Sequence, residues 1–364
     1  MTEPLPFEPS PFDEDEVSVE KSLRPATLDE FIGQGRVVEN LKIAIEAAKG
    51  RADVLDHVLF SGMPGLGKTT LSTLIASAMG VGFHATSGPA IDKGADMVGL
   101  LTHVKRGDVL FIDEIHRISK EAEEYLYSAM EDYKVDLVIA SGPDAKSVRI
   151  SVEPFTLVAA TTREGILSAP FRSRFGIVEK LDPYPPSELL EIILRSAKIL
   201  DCTISDETGL YVAERCRGTP RYANRFLRRI RDLAQLRSGW VRSGRNDSGR
   251  NDSGWTGSGR NGKNEKDPAP LRLTAEFVQE GLDRLGIDAN GLDRVDRKIL
   301  EVVLGNDDPV GVKTIAVTVG EEERTIEDVY EPYLIQRGML LKTPRGRRAS
   351  PRAFQLYRPQ GRMF

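Results

Sequence analysis

Cysteine is scarce. The 364 residues hold two, Cys202 and Cys216, too few for a disulfide framework and without the four-ligand spacing of a zinc site. Both are expected to be reduced, partly buried thiols. Apolar runs are short, as in VLFI at 109–112, far below the ~20 residues that span a bilayer, so no membrane segment is expected. The first twenty residues, MTEPLPFEPSPFDEDEVSVE, lack the basic and apolar regions of a secretion signal and contain no Lys or Arg. They read as a disordered acidic leader, and a cytoplasmic location is expected. Carboxylates are missing at the other end. From Lys342 to Phe364 the cations are Lys342, Arg345, Arg347, Arg348, Arg352, Arg358 and Arg362, with no Asp or Glu. On a chain of net charge −5, that asymmetry points to a local anion-binding surface rather than a uniformly basic coat. What is present, 40% hydrophobic and 29% charged residues, is a globular composition, and the length suits two or three domains.

Three textures follow the leader. From 21 to 184, short apolar strands alternate with helices, as in an α/β domain with a largely parallel sheet. NLKIAIEAAK, from Asn40, puts Leu41, Ile45 and Ala48 on one helical face. His57–Phe60 reads as a strand leading into a Gly-rich loop. A helix follows with Leu71, Leu74, Ile75 and Ala78 inward, ended by Gly80. Further strand-like runs lie at 109–112, 136–140, 148–152 and 155–160. After DPYPP (182–186) the pattern turns helical, and 185–287 reads as a small all-helical domain. Ser187 is expected to cap SELLEIILRSAKIL, Ser205 to cap SDETGLYVAERC, and Pro220 to open PRYANRFLRRIRDLAQL. Within it, 238–270 contains SGRND twice and no Leu, Ile or Phe; it reads as a flexible insertion. Both tryptophans, Trp240 and Trp255, lie there, either to stack on nucleic acid or as parts of a solvated repeat. From 288 to 364, LDRVDRKILEVVL, VGVKTIAVTV and TIEDVYEPYLIQRGM read as three helices before a hairpin with a basic tip, LLKTPRGRRAS. That is the pattern of a winged helix, which commonly meets DNA.

GMPGLGKT at 62–69 is G-x-x-x-x-G-K-T between a strand and a helix, the context of a P-loop. Its glycines let backbone N–H groups approach phosphate oxygens, and the helix N-terminus adds its dipole. Lys68 would meet the β- and γ-phosphates and Thr69 would hold Mg²⁺. VLFIDEIH at 109–116 ends in Asp113, for the Mg²⁺ shell, and Glu114, to activate or orient the attacking water. His116 reads as a helix-surface residue. LVAATTRE at 157–164 brings Thr161 and Thr162 to the sheet edge where ligands collect, either to sense the γ-phosphate or to serve a turn. FRSRFG at 171–176 follows what reads as the last strand. Phosphoryl transfer calls for further positive charge, and Arg174 is placed to reach a neighbouring subunit's nucleotide; the alternative for Arg172 and Arg174 is surface ion pairing. Arg221, at the start of a helix in the second domain, could report phosphate loss as a rotation between domains. The alternative is a basic helix face shared with Arg225, Arg228, Arg229 and Arg231.

Together with LRPATLDEFIGQ, AMEDY, RGTPRYANR, EPYLIQRG and TPRGR, these motifs resemble the RuvB family, the bacterial AAA+ ATPases that drive branch migration of Holliday junctions. The resemblance covers about 20–237 and 271–350. It implies an α/β AAA+ P-loop domain with a parallel sheet, a small all-helical lid domain and a C-terminal winged-helix domain. It implies an ATP hydrolase, with ATP and Mg²⁺, that moves four-way junctions in recombination and repair. It also implies a homohexameric ring on duplex DNA, a RuvA-type junction-binding partner and a RuvC-type resolvase in the larger complex. Nucleotide contacts would fall on Leu23, Arg24, Gly65, Lys68, Thr69, Thr70, Glu131, Asp132, Tyr133, Tyr184 and Arg221. Arg174 would be the finger given to the neighbouring subunit. Lys68, Asp113, Glu114 and Thr162 would complete the catalytic set, with Thr69 and Asp113 on the metal. DLVIASGPDAKSVRI (136–150) would be the hairpin offered to RuvA, and Lys342, Arg345 and Arg347 would touch DNA phosphates.

The chain also departs from that pattern. Met63 stands where the family usually has Pro, and its carbonyl should still line the loop. Lys342 replaces a usual Arg, keeping the charge and losing the fork. Glu323 stands where many relatives carry a basic DNA contact, with Arg324 one position later. The 238–270 insertion lies outside the family pattern. Two other readings remain open, another AAA+ machine and a nucleotide-gated DNA-binding regulator; Glu114→Gln would stop a motor yet spare a binding switch.

Overall fold

Five short strands run in one direction: β1 (Val58–Ser61), β2 (Phe83–Ser87), β3 (Val109–Asp113), β6 (Thr156–Thr161) and β7 (Ile177–Lys180). In this computed structural model, which describes residues 22–138, 147–238 and 269–357, their order is β2-β3-β6-β1-β7. The middle strands are buried almost throughout, as continuous apolar runs should be when helices cover both faces. Alternate residues divide between two cores. Val58, Phe60, Phe111 and Val158 face α1 (Gly35–Gly50) and α2 (Lys68–Met79). Leu59, Leu110, Ile112 and Leu157 face α3 (Gly94–His103) and α4 (Lys120–Asp132).

The sheet corrects three sequence expectations. The run at 155–160 is not its last strand: β7 follows and pairs with β1. FRSRFG, which includes the end of α5 (Ala169–Arg172), therefore lies between β6 and β7. Strand β2, FHATS, carries too little apolar character to be read as a strand and sits at the sheet edge beside β3. The runs at 136–140 and 148–152 do not join the sheet. They form a separate antiparallel pair, β4 (Lys134–Val138) with β5 (Ser147–Ser151), fastened by a bidentate Arg149–Asp136 pair at 2.8 and 3.0 Å. Its tip lies outside the described residues, as do the acidic leader and the insertion with Trp240 and Trp255.

The lid packs α6 (Pro186–Ile199), α7 (Asp206–Ala213), α8 (Pro220–Ser238) and α9 (Ala275–Arg284) around Ile193, Phe226, Ile230 and Leu282. Pro220 opens α8 and Ser205 caps α7 through the Thr208 N–H, both as expected. Ser187 does not cap α6: Pro185 holds that position, with Pro186 in the first turn. The lid is not purely helical either. A short parallel pair, β8 (Cys202–Ile204) with β9 (Leu271–Leu273), joins the stretch before α7 to the stretch that follows the insertion. Cys202 and Cys216 are free and buried; burial pushes the Cys202 thiol up to about 11 and Cys216 further still.

The head contains α10 (Arg294–Leu304), α11 (Val312–Val319) and α12 (Glu323–Thr325). A π-helical turn at Ile326–Tyr330 carries α12 into α13 (Glu331–Gln336), so the expected third helix begins earlier and is over-wide midway. The wing is β10 (Leu340–Thr343) with β11 (Gly346–Ala349), followed by α14 (Pro351–Tyr357). Arg217 joins lid to head. Its backbone is left-handed, its side chain is buried, and its Nη2 donates to Asp293 and Asp296 at the start of α10.

A nucleotide site divided between two edges of the sheet

The β1–α2 turn is the P-loop, with Gly62, Gly65 and Gly67 all at positive φ. Gly65 is required twice over, because a Cβ there would also stand 2.9 Å from Cβ of Arg221. Arg221 of the lid therefore lies directly across the loop. Lys68 is buried, and its Nζ donates to the carbonyls of Gly62 (2.8 Å) and Met63 (2.9 Å). Met63 thus lines the loop with its carbonyl. Burial lowers the Lys68 ammonium to about 8, with Asp113 and Glu114 opposing the shift and Arg221 adding to it. Thr69 and Thr70 follow in the first turn of α2. Tyr184 is buried at the lid junction, where its hydroxyl donates to Leu66 O at 3.3 Å and burial pushes its pKa upward. Phe31 packs against Gly67, and the Leu23 carbonyl is held by Arg195 of α6 at 2.7 Å. Arg24 beside it is exposed.

Strand order brings the remaining chemistry alongside. Because β6 lies between β1 and β3, the carboxyl ends carrying the P-loop, Thr161–Thr162 and Asp113–Glu114 are adjacent. Asp113 Oδ1 accepts the Glu114 N–H at 3.0 Å. Glu114 sits at φ 51, and burial together with Asp113 raises its pKa, against Lys68. Thr162 Oγ1 donates to Glu114 Oε2 at 3.4 Å. Thr161 is fully buried and its Oγ1 accepts the Arg163 N–H at 3.0 Å. His116 departs from its expected place: its side chain is 2% exposed, wedged between Glu114 and Thr161. Arg163 was not singled out in the sequence, yet its Nε donates to Asp328 of the head at 2.6 Å.

Four of the expected nucleotide residues lie away from this P-loop, among them Arg174, which was expected to serve a neighbouring subunit's nucleotide. Arg174 reaches Glu131 at 2.9 Å, the Pro170 carbonyl at 2.6 Å and the Tyr127 ring, 4.5 Å from its centroid. Asp132 and Tyr133 adjoin Glu131 at the end of α4. This group belongs to the amino edge of the sheet: Met130 O lies 3.4 Å from His57, just before β1, and Gly176 abuts Asp56. The P-loop leaves the carboxyl end of the same strand, so ~10 Å or more of strand separates the two groups. Glu131, Asp132, Tyr133 and Arg174 therefore do not share a site with Lys68 of their own chain.

In the head, Arg345 is exposed at the wing's turn. Lys342 is 56% exposed, with Nζ 3.7 Å from Glu331 and 3.8 Å from Glu327. Arg324 is half exposed, 3.7 Å from Asp328. Arg347, expected as a phosphate contact, is largely buried: it pairs with Glu331 through Nε and donates to Glu327 through Nη2 at 2.8 Å.

A P-loop with a buried lysine, an Asp-Glu strand one strand away, a threonine-bearing strand between them and a lid whose arginine crosses the loop define an AAA+ ATPase. The winged head places it among those that meet DNA. Three family patterns match: the Holliday junction DNA helicase RuvB P-loop domain over 23–181, the RuvB AAA lid domain over 184–242 and the RuvB C-terminal winged helix domain over 289–358. The chain is 48% identical over 358 residues, 96% of its own length and 95% of the relative's, to the Holliday junction branch migration complex subunit RuvB of Myxococcus xanthus. Against that of Chlorobaculum parvum it is 48% identical over 347 residues, 95% and 92% of the two chains. The solved RuvB Holliday junction branch migration motor of Thermotoga maritima superposes with a TM-score of 0.76 at 44% identity, covering 92% of this chain and 97% of that one. The chain belongs to the RuvB family.

Proposed function

We propose that this ATPase moves Holliday junctions and that each of its active sites is completed by a neighbouring copy in a closed ring on duplex DNA. One observation carries the reading: Arg174 and Glu131–Tyr133 lie at the sheet edge opposite the P-loop. An arginine held there cannot serve its own chain's phosphates. A head-to-tail interface, in which the amino edge of one copy covers the P-loop of the next, would bring it into use and closes into a ring when the rotation allows.

The residues at the carboxyl edge suit ATP and Mg²⁺. Three positive-φ glycines open the backbone toward phosphate oxygens, and Lys68 already holds its ammonium in the loop. Thr69 and Asp113 would hold Mg²⁺, which when bound neutralises charge on the phosphates. Glu114 orients or deprotonates the attacking water. Thr162 bonds to Glu114 and stands beside the place of the γ-phosphate. Arg174 of the neighbour stabilises the transferring group, a contribution of about 10³–10⁵ in rate for such arginines. Arg221 crosses the loop from the lid, and the lid is fastened to the head through Arg217, so a lid rotation would carry the DNA-binding wing with it. Lys342, Arg345 and Arg324 supply the wing's exposed charge. The β4–β5 hairpin stands clear of the sheet and suits a RuvA-type partner; a RuvC-type resolvase would join the larger complex. No helix among the described residues is long and apolar enough to cross a membrane, and a cytoplasmic setting follows from the substrate.

The test is dissociation of a synthetic four-way junction with ATP and Mg²⁺, with and without a RuvA-type protein. ATP-dependent, partner-stimulated conversion to duplex arms is expected. Junction binding and ATP turnover without strand movement would favour a nucleotide-gated switch instead.

A further inference from the structure

We propose that His116 is a positioning residue for ATP hydrolysis, holding the Glu114 carboxylate in the orientation from which it acts on water. The inference rests on the assignment of Glu114 above. It starts from a ring that is 2% exposed and contacts a polar group at each nitrogen: Nδ1 lies 2.9 Å from Thr161 Oγ1, and Nε2 lies 3.3 Å from Glu114 Oε2.

The neighbouring contacts allow one direction of relay through the ring. Thr161 Oγ1 already accepts the Arg163 N–H, so its own proton is available to Nδ1. A neutral ring that accepts at Nδ1 carries its proton on Nε2, pointed at the carboxylate. Glu114 Oε2 then accepts from Thr162 Oγ1, and His116 Nε2 lies against the same oxygen at 3.3 Å. Oε1 remains for water.

Glu114 needs such support. Its backbone is left-handed, and the Asp113 carboxylate is its immediate neighbour, so its orientation has to be held by contacts from elsewhere. The Thr162 hydrogen bond and the His116 contact fix its orientation. The short turn Ile115–Arg117 delivers the ring to this place, and the buried Thr161 at the end of β6 anchors its far side. The groups facing the ring come from three elements: Arg117 on its own turn, Arg163 after β6, and Arg324 and Asp328 from the head. Thr161 and Thr162 are thereby separated in role. Thr162 stands beside the phosphate, and Thr161 acts through the histidine.

The test compares three substitutions in the full-length protein on junction DNA. His116→Gln can keep a donor near the position of Nε2. His116→Asn can keep a partner for Thr161 but falls short of Glu114, and His116→Phe keeps neither. His116→Asn and His116→Phe are expected to lower kcat on the order of 10–100-fold, the scale of a misplaced catalytic group. KM for ATP and the Kd of a fluorescent ATP analogue should hold, and His116→Gln should recover most of kcat. Added to Glu114→Gln, His116→Asn should cost nothing further, because residues acting as a unit are not additive. Equal loss for Gln and Asn, or a loss of nucleotide affinity matching the loss of kcat, overturns the proposal. If Glu114→Gln itself turns over like the parent protein, the assignment of Glu114 fails instead. Circular dichroism separates misfolding from lost catalysis, and if His116→Phe does not fold, the Gln–Asn comparison decides alone.

Discussion

Replacing Arg217 by methionine takes away the cation that two buried carboxylates share. Asp296 is fully buried and Asp293 nearly so; both accept from one nitrogen of Arg217. The other guanidinium nitrogens, Nε and Nη1, have no hydrogen-bond partner, and the group lies 4.9 and 5.0 Å from the ring centroids of Tyr222 and Tyr333. Removing one member of a buried ion pair costs about 3–5 kcal/mol, because the partner's charge stays buried and uncompensated. Asp293 and Asp296 cap α10, so the loss should concentrate there. Hydrogen exchange at the first amides of α10 is the assay, and protection should fall on the order of 10²–10³-fold, the equivalent of 3–4 kcal/mol at 1.4 kcal/mol per decade.

The effect has a pH signature. Burial already raises the Asp296 carboxyl and Arg217 opposes that shift; without Arg217 the folded pKa rises further. A carboxyl whose folded pKa exceeds its unfolded value is stabilising while protonated, and the deficit grows as pH climbs from the unfolded toward the folded pKa. The variant should therefore lose less at pH 5 than at pH 8, and Arg217→Met/Asp293→Asn/Asp296→Asn should regain most of the protection. A loss below tenfold at pH 8, or a greater loss at pH 5, would refute the buried-charge reasoning.

Other expectations divide the arginines by their partners. Arg345→Ala and Lys342→Ala should each weaken duplex binding without sequence preference and reduce the slope of log K against log salt by about 1. Arg347→Ala should destabilise the head by about 1–3 kcal/mol, below the roughly 3–5 kcal/mol of a fully stranded buried ion because Lys342 stays 3.7 Å from Glu331; thermal unfolding of the head checks this, and a change confined to the salt slope would contradict it. Arg163→Ala removes the contact between the threonine strand end and Asp328, so exchange across Ile326–Tyr330 should speed up several-fold while the β1 amides are unaffected.

What could be read in the sequence was whatever is contiguous. The P-loop and the Asp-Glu strand end each sit in one short stretch, and their chemistry depends on spacing alone. Apolar runs buried on both faces gave β1, β3 and β6. Edge strands β2 and β7 escaped because FHATS and IVEK bury little and show no continuous apolar run. His116 was misplaced for another reason: a single position after a strand says nothing of whether a tight turn sends its ring inward. Arg347 and Arg345 look alike in TPRGRR, and only strand alternation distinguishes them. Arg347 shares a face with the buried Ala349, whereas Arg345 sits at the turn. The Arg163–Asp328 pair spans 165 residues and leaves no local trace. The division of the expected nucleotide residues between two sheet edges needed the position of β7, one of the two strands that were missed.

Mixing two inactive variants asks whether one active site is built from two chains. Arg174→Ala subunits keep a P-loop, and Lys68→Ala subunits keep the arginine. Each alone should be slowed by about 10³ or more in ATP turnover. In a random 1:1 ring with head-to-tail interfaces, about one quarter of the interfaces pair an intact Lys68 with an intact Arg174. DNA-stimulated ATPase activity should return on mixing toward that fraction. A mixture no more active than its separate components, or Arg174→Ala turning over like the parent protein, would contradict a site shared between neighbours.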